Sequence, residues 1–521
     1  MNNQKSLAPA DRTLFGHPVG LYILFFTEMW ERFSYYGMRA ILVLFMTSKA
    51  TGDNPGYGWS NGEALALYGW YTMFVYVASI PGGIIADRYI GQKKAVLYGG
   101  LLLCFGHGIL AIDALWAFYT GLFFIVLGVG GLKPNISTMV GGLYPKGDNR
   151  RDRGFYIFYM GINLGAFLSS LIVGYIGEVH GWHYGFGLAG ICMVLGLITY
   201  MWGQKYLAKV GDLVVENENN SPVERPSLIG GIFKKSNSMV AFGVVALSSI
   251  PFFLNGSWDY GLLMLGLSFA AGIAMVIYND GNKIEKDRIL VTYLSFLIII
   301  VFWGSFEQAG GLLNIYANEK TDLALGNFMV PASWFQSVNA LFILAFATIV
   351  GSFWVWWENR GGENSSIFKM AIGVIIMGWG FLFMTKASMD VTYDAAGNVI
   401  GKSAMTWLVL AYLFHTIGEL CASPVALSFI TKLAPARWVA FMMGAYFAMT
   451  GLGNKVAGSL GELSESVGET AIFTGIAVFC TIFGFLVLLI IKPLKRLAHG
   501  AEDKEPKAEL LDNKGFEAEK Y

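Results

Sequence analysis

Charge is scarce in this chain. Only 14% of its 521 residues are Asp, Glu, Lys or Arg, while 55% are hydrophobic and the mean hydropathy is +0.53. Ordinary soluble domains carry about a quarter charged residues. The shortage excludes a soluble globular protein and leaves a polytopic chain whose surroundings are a lipid bilayer. Neither sign dominates: 36 basic residues face 36 acidic ones. That balance gives no signal for nucleic acid, and none is expected as a partner. Cysteine is rare too. Cys104, Cys192, Cys421 and Cys480 each sit inside an apolar run without metal-ligand spacing. They read as buried free thiols, and no metal site is expected. Catalytic sets are missing: there is no Ser/His/Asp set, no His-Glu-x-x-His and no Asp pair suited to intramembrane cleavage. The expectation is not an enzyme, with no catalytic residues. The opening MNNQKSLAPADRTLFGHP lacks a cleavable signal pattern. The first hydrophobic run is therefore expected to be a mature transmembrane helix. No external loop is long enough for an ectodomain.

Long apolar runs are abundant. Glycine (65), Trp (15) and Phe (39) suit close helix packing and aromatic belts. About twenty apolar residues cross a bilayer. By that length, spans are predicted near 18–47, 62–87, 92–112, 115–138, 153–177 and 182–206. A polar stretch, KVGDLVVENENNSPVERPSL, reads as a solvated linker, and two shorter runs follow near 238–256 and 258–278. Six more lie near 288–317, 331–357, 367–386, 403–432, 437–461 and 469–492. The fold class is all-α integral membrane, with about fourteen spans. The domains are a six-helix bundle over 1–206, a linker with two extra helices over 207–287, a second bundle over 288–493 and a tail over 494–521. Arg88, Lys93, Lys94, Lys146, Arg150 and Arg437 fall in loops on one side, and Asp53, Glu63, Glu178 and Glu465 on the other. The positive-inside rule puts the first side, and both termini, in the cytoplasm. Asp390–Lys402 reads as a small external hairpin turning at Gly397-Asn398.

The first span carries charge. Glu28, Glu31, Arg32 and Arg39 lie within Leu21–Met46. A charge at the centre of a lipid-embedded helix costs roughly 2.5–3.5 kcal/mol on insertion scales. Four would not persist facing lipid, so they should face a polar cavity. Glu28, Arg32, Tyr36 and Arg39 follow the spacing of one helical face. A stripe of acid, fixed cation and phenol points to a path for a charged solute and a proton.

Other spans hold polar groups. Lys133, followed by Pro134, needs an acid partner or an anionic ligand, unless it snorkels to the interface. Glu419 has His415 and Ser423 one turn to either side. It can carry a proton, pair with Lys133, or receive a ligand ammonium. His415 reads as a proton site or as a structural residue. Glu307 and Gln308, Asn163, and Gln336 with Asn339 sit in later spans, where amides often only pin helices together. Cations concentrate in the first half (Arg32, Arg39, Lys133) and acids in the second (Glu307, Glu419). Such a cavity suits a zwitterion whose charged ends lie far apart.

Two six-span halves, and the loop Gly83-x-x-x-Asp87-Arg88-x-x-Gly91-x-Lys93-Lys94, resemble the major facilitator superfamily. WENRGG at Trp357–Gly362 is a degenerate counterpart in the second half. Glu28-Met29-Trp30-Glu31-Arg32-Phe33-Ser34-Tyr35-Tyr36, with FYIFYMGINLG and FWGSFEQ, is similar to the proton-dependent oligopeptide transporter branch, bacterial type. This resemblance implies a proton-coupled importer of di- and tripeptides, with protons as coupling ion and no other cofactor, in the cytoplasmic membrane. Arg32 and Lys133 would hold the peptide carboxylate. Glu419 would receive the amino terminus, Asn163 and Asn339 would bond the backbone or termini, and Ser423 would join them. Tyr35, Tyr36, Tyr76 and Trp303 would line side-chain pockets. Glu28, Glu31, Arg32 and Glu307 would couple protons. Arg39 with Glu307, and Lys133 with Glu419, would be gating salt bridges. The second span lacks the histidine of some family members, and Glu319 is a candidate gate acid without a matching arginine. A transporter of nitrate or another small anion, or a peptide sensor, are the alternatives. The sequence leaves oligomeric state open.

Overall fold

The computed structural model describes residues 8–145, 148, 150–213 and 228–502. The predicted polar linker, most of the tail and the loop lysine Lys146 lie largely outside these residues. Fourteen long helices follow one another, and they are numbered here in chain order. The first half holds α1 (Val19–Thr47), α2 (Asn61–Ile90), α3 (Gln92–Leu110), α4 (Leu115–Gly142), α5 (Arg153–His180) and α6 (Trp182–Tyr206). The inserted pair is α7 (Ser236–Leu254) and α8 (Trp258–Asp280). The second half holds α9 (Lys283–Lys320), α10 (Ala332–Asn359), α11 (Ser366–Asp390), α12 (Met405–Leu433), α13 (Val439–Val467) and α14 (Glu469–Leu489). This is the major facilitator fold with two additional spans.

Eleven of these helices are long and apolar enough to cross a membrane by composition alone. The others are α1, α3 and α13. The first carries the four charges, the second starts with Gln92-Lys93-Lys94, and the third contains Lys455, Glu462 and Glu465. Tertiary burial, not hydropathy, holds α1 in place: Glu28, Glu31, Arg32 and Arg39 are all buried among protein.

Local chemistry sets the ends. At α2, Ser60 Oγ accepts from the Glu63 N–H, and the Glu63 carboxylate accepts from the Ser60 N–H, a capping box. Helix α9 breaks into a 3-10 turn at Glu307–Ala309 before Leu312–Lys320 resumes. Glycines let α3 and α4 touch backbone to backbone: a Cβ at Gly99 or Gly128 would press on the facing helix at 2.7 Å. The 390–402 segment forms a hairpin, Thr392–Tyr393 against Val399–Gly401, with Gly397 at φ 85°. Ser403–Ala404 then pairs in parallel with Thr321–Asp322.

The chain forms two compact units. One takes Met1–Pro222, Phe296–Ala426 and Met443–Leu488, and so holds most of both halves. The other takes Val223–Ser295, Leu427–Met442 and Leu489–Tyr521. Within it, Arg437 bonds Asp280 at 2.7 Å and Glu285 at 2.8 Å, and Trp438 Nε1 donates to Asp280 at 2.9 Å.

Within the first unit the halves meet at the acid-rich end. Asn314 Nδ2 donates to the Ala40 carbonyl at 2.8 Å, Ser337 Oγ to that of Phe167 at 2.9 Å, and Trp334 Nε1 to that of Leu171 at 3.0 Å. Gly69 of α2 and Gly458 of α13 face each other. At the opposite, Lys/Arg-rich end, Ile84, Ile85, Asp87 and Tyr89 of α2 are exposed. The structure is therefore closed at the acid-rich end.

Candidate functional site

The α1 stripe faces the interior, as its spacing predicts. Arg32 Nε lies 3.0 Å from Glu28 Oε1 and also contacts Glu31. Its Nη2 is buried with no hydrogen-bond partner among the described residues. The guanidinium sits over the rings of Tyr35 and Tyr36, 5.6 and 5.9 Å from their centroids.

Two helical turns further, Arg39 Nη2 lies 3.3 Å from Glu307 Oε2. This is the expected bridge between halves. Tyr68 of α2 donates to the same oxygen at 3.2 Å. The break in α9 makes room for them: a Cβ at Gly310 would overlap Tyr68 Oη and crowd Arg39.

The second expected bridge, Lys133 with Glu419, is absent from this state among the described residues. Lys133 lays its ammonium over Tyr76, 3.8 Å from the ring centroid, with Phe447 at 5.8 Å. The charges that weigh most on it are Arg32, Glu31, Glu28 and Glu307. Helix α4 flanks α1, so the lysine reaches the α1 cluster before it reaches α12. Tyr76, expected as a side-chain pocket wall, is thus a platform for Lys133.

Glu419 accepts from Asn339 Nδ2 at 2.9 Å, and the same nitrogen contacts Thr416 Oγ1 at 3.0 Å. Asn339 therefore positions Glu419 in this state rather than reaching outward. Asn163 Nδ2 donates to the Tyr159 carbonyl on its own helix, at 2.9 Å. Ser423 and Trp303 both lie beside Tyr446, which places those two expected site residues near one another. The guanidinium groups of Arg32 and Arg39 lie 5.9 and 5.4 Å from the Tyr36 ring centroid, so Tyr36 stands between the two cations of α1.

Other expectations resolve differently. His415 packs on Phe381, with ring centroids 4.5 Å apart, and neither ring nitrogen finds a partner among the described residues. It belongs to the core of the second half. Gln308 Nε2 donates to the Ala457 carbonyl at 3.0 Å, a pin between α9 and α13. Glu319 accepts from Asn61 Nδ2 at 3.3 Å, so its partner across the halves is an amide. Cys192, Cys421 and Cys480 are buried, and Cys104 is only half-buried.

Tyr68, Tyr159, Thr416, Tyr446 and Phe447 were not singled out from the sequence. Tyr68 had a usable signal: it precedes Tyr76 by eight residues, so both share one face of α2. The rest are uncharged residues of α5, α12 and α13 that nothing local separates from packing residues.

The comparisons agree with this geometry. The model of the POT family matches residues 93–475. The uncharacterised transporter YclF of Bacillus subtilis is 38% identical over 93% of this chain and 96% of its own. The peptide transporter YePEPT of Yersinia enterocolitica is 35% identical, over 95% of this chain and 98% of its own. A crystal structure of a peptide transporter POT mutant in complex with alafosfalin superposes with TM-score 0.80 at 36% identity, covering 94% of this chain and 97% of that one.

Proposed function

Because the chain belongs to the POT family, we propose that it is a proton-coupled symporter importing di- and tripeptides by alternating access. The observation that carries this reading is the opposition of charge across the halves: Arg39 of α1 meets Glu307 of α9 at 3.3 Å, with Arg32 and its two carboxylates on the same face of α1. Arg32 and Arg39 belong to the first half, Glu307 and Glu419 to the second. A short peptide is a zwitterion with charged ends several ångströms apart, and its backbone and termini are its constant parts. Anchoring those ends leaves the aromatic walls to accept varied side chains.

Arg32 and Lys133 take the carboxylate. The unpartnered Nη2 of Arg32 supplies a donor, and Lys133 stands on Tyr76 beside the same cluster. Glu419, held by Asn339, takes the amino terminus, and Asn163 faces the backbone. Tyr35, Tyr36, Trp303 and Ser423 complete the lining. An inorganic anion would meet Glu419 as a like charge, which disfavours the nitrate alternative.

Protons are the coupling ion, with no further cofactor. With both Glu28 and Glu31 ionised, Arg32 is held by two carboxylates on its own helix. Protonating one loosens that grip and turns the guanidinium toward a peptide carboxylate. Proton and peptide therefore favour each other's binding, a coupling between two sites. Glu307, shared by Arg39 and Tyr68, links the same charge balance to the contact between halves.

The protein lies in the cytoplasmic membrane with both termini inside. The domain limits are 1–206, 207–287, 288–493 and 494–521. With that orientation the closed acid-rich end is external.

The test is uptake of radiolabelled dialanine into proteoliposomes, with and without an inward proton gradient, beside Arg32→Ala. Gradient-driven accumulation that the variant loses supports the symporter. Absence of uptake by folded protein overturns it in favour of an anion transporter or a sensor.

A further inference from the structure

Two carboxylates at the acid-rich end take no part in the site above. Glu178 ends α5 in a π-helical turn, Ile176–His180. Its carboxylate accepts from the backbone N–H of Ala332 at 2.9 Å, from that of Ser333 at 2.9 Å, and from the Ser333 hydroxyl. Ala332 and Ser333 open α10, in the other half. Glu465, near the end of α13, makes the reverse contact: it accepts from the N–H of Gly62, in the first turn of α2, at 2.6 Å.

The two contacts are equivalent under exchange of the halves. Helices α5 and α13 are the fifth spans of their halves, and α2 and α10 are the second. In each case an acid closing a fifth span seats on the start of the second span opposite. The first N–H groups of a helix have no intrahelical acceptor and carry partial positive charge. An ionised carboxylate is the strong acceptor for them. Space is cleared on both sides: a Cβ at Gly62 would overlap the Glu465 carboxylate, and a Cβ at Gly174 would overlap Ser333 Oγ.

We propose that Glu178 and Glu465 are paired latches that hold the acid-rich end shut and both release when that end opens. The proposal rests on the alternating-access reading and adds the residues that stabilise one of its states. Each contact exists only while the start of one helix lies against the acid of the opposite half. It therefore favours one state over the other, which is what gating requires. The Arg39–Glu307 pair sits beside the peptide site and answers to substrate. The latches lie away from it and set how stable the closed end is without substrate.

The test uses the full chain in lipid nanodiscs, with nitroxides at Asp53→Cys and Asn398→Cys reporting the distance across that end. Glu178→Gln and Glu465→Gln should each raise the open-to-closed ratio about tenfold, the scale of a charge-assisted hydrogen bond, and the double variant should raise it further. Gly62→Ala and Gly174→Ala should shift the ratio the same way with all charges kept. Asp113→Asn, an acid at the same end that pairs with His183 in its own half, should shift nothing. An unchanged distribution in the folded double variant, and in both glycine variants, overturns the latches. Peptide uptake is read separately. Shifted distances without wild-type uptake keep the latches and discard the symporter. Uptake with unmoved distances does the opposite.

Discussion

Lys133 holds its ammonium against the face of Tyr76, 3.8 Å from the ring centroid, instead of pairing with an acid across the cavity. The ring fixes where the cation stands without neutralising it, so its charge stays available to a peptide carboxylate. A cation–π contact is worth roughly 0.5–2 kcal/mol. Tyr76→Phe should keep dipeptide affinity near wild type, and Tyr76→Leu should weaken it by about threefold to thirtyfold. Calorimetric titration of the purified protein decides this. Equal affinities in both variants would remove Tyr76 as the platform.

Arg32 is the shared partner of two carboxylates on its own helix. Glu31→Gln fixes one of them in a neutral form. Proton-driven accumulation should vanish while peptide exchange down its own gradient persists. Arg32→Lys keeps the charge but loses the fork that reaches both acids, and driven uptake should fall by about tenfold or more. Normal driven uptake by Glu31→Gln would sink the coupling scheme.

Glu419 is held by Asn339 at 2.9 Å, and a neutral acyl group gives it nothing to pair with. Wild-type protein should therefore prefer a free dipeptide to its N-acetyl form. Glu419→Gln should erase most of that preference, and Asn339→Ala should reduce it about three- to tenfold, the cost of an unpositioned charged hydrogen bond. Competition against a labelled peptide measures both. An unchanged preference in Glu419→Gln would relocate the amino-terminal site.

Gly310 faces both Tyr68 Oη and Arg39. Gly310→Ala should force them apart, at about 1–3 kcal/mol of overpacking, and lower both melting temperature and transport. Gly243→Ala, on α7 with open space around it, should leave melting unchanged or slightly raise it. Thermal melts in detergent compare the two.

The fourteen spans were legible because hydrophobic length is a local property that each segment carries alone. Even α1, α3 and α13, whose charges lower their hydropathy, were readable, since each still carries a long apolar run. The α1 stripe was legible for a similar reason: residues one and two turns apart share a face in any helix, so Glu28, Arg32 and Arg39 had to point one way together. The partnership of Arg39 with Glu307 was implied only by the family resemblance, and the contact is present in the structure.

Which groups meet across helices was not local information. Lys133 and Glu419 carry the right signs for a pair, yet α4 stands beside α1 and its lysine reaches Tyr76 first. His415 sits one turn from Glu419, but its side of α12 turns into the core against Phe381. Tyr68, Tyr446 and the Glu178 and Glu465 contacts depend on where two helices cross and where one begins opposite the end of another. The sequence by itself determined how many helices cross the bilayer, which faces are polar and which charges must be buried. Only the tertiary structure decided the partners, the closed end and the break at Gly310, because those depend on distances between segments far apart in the chain.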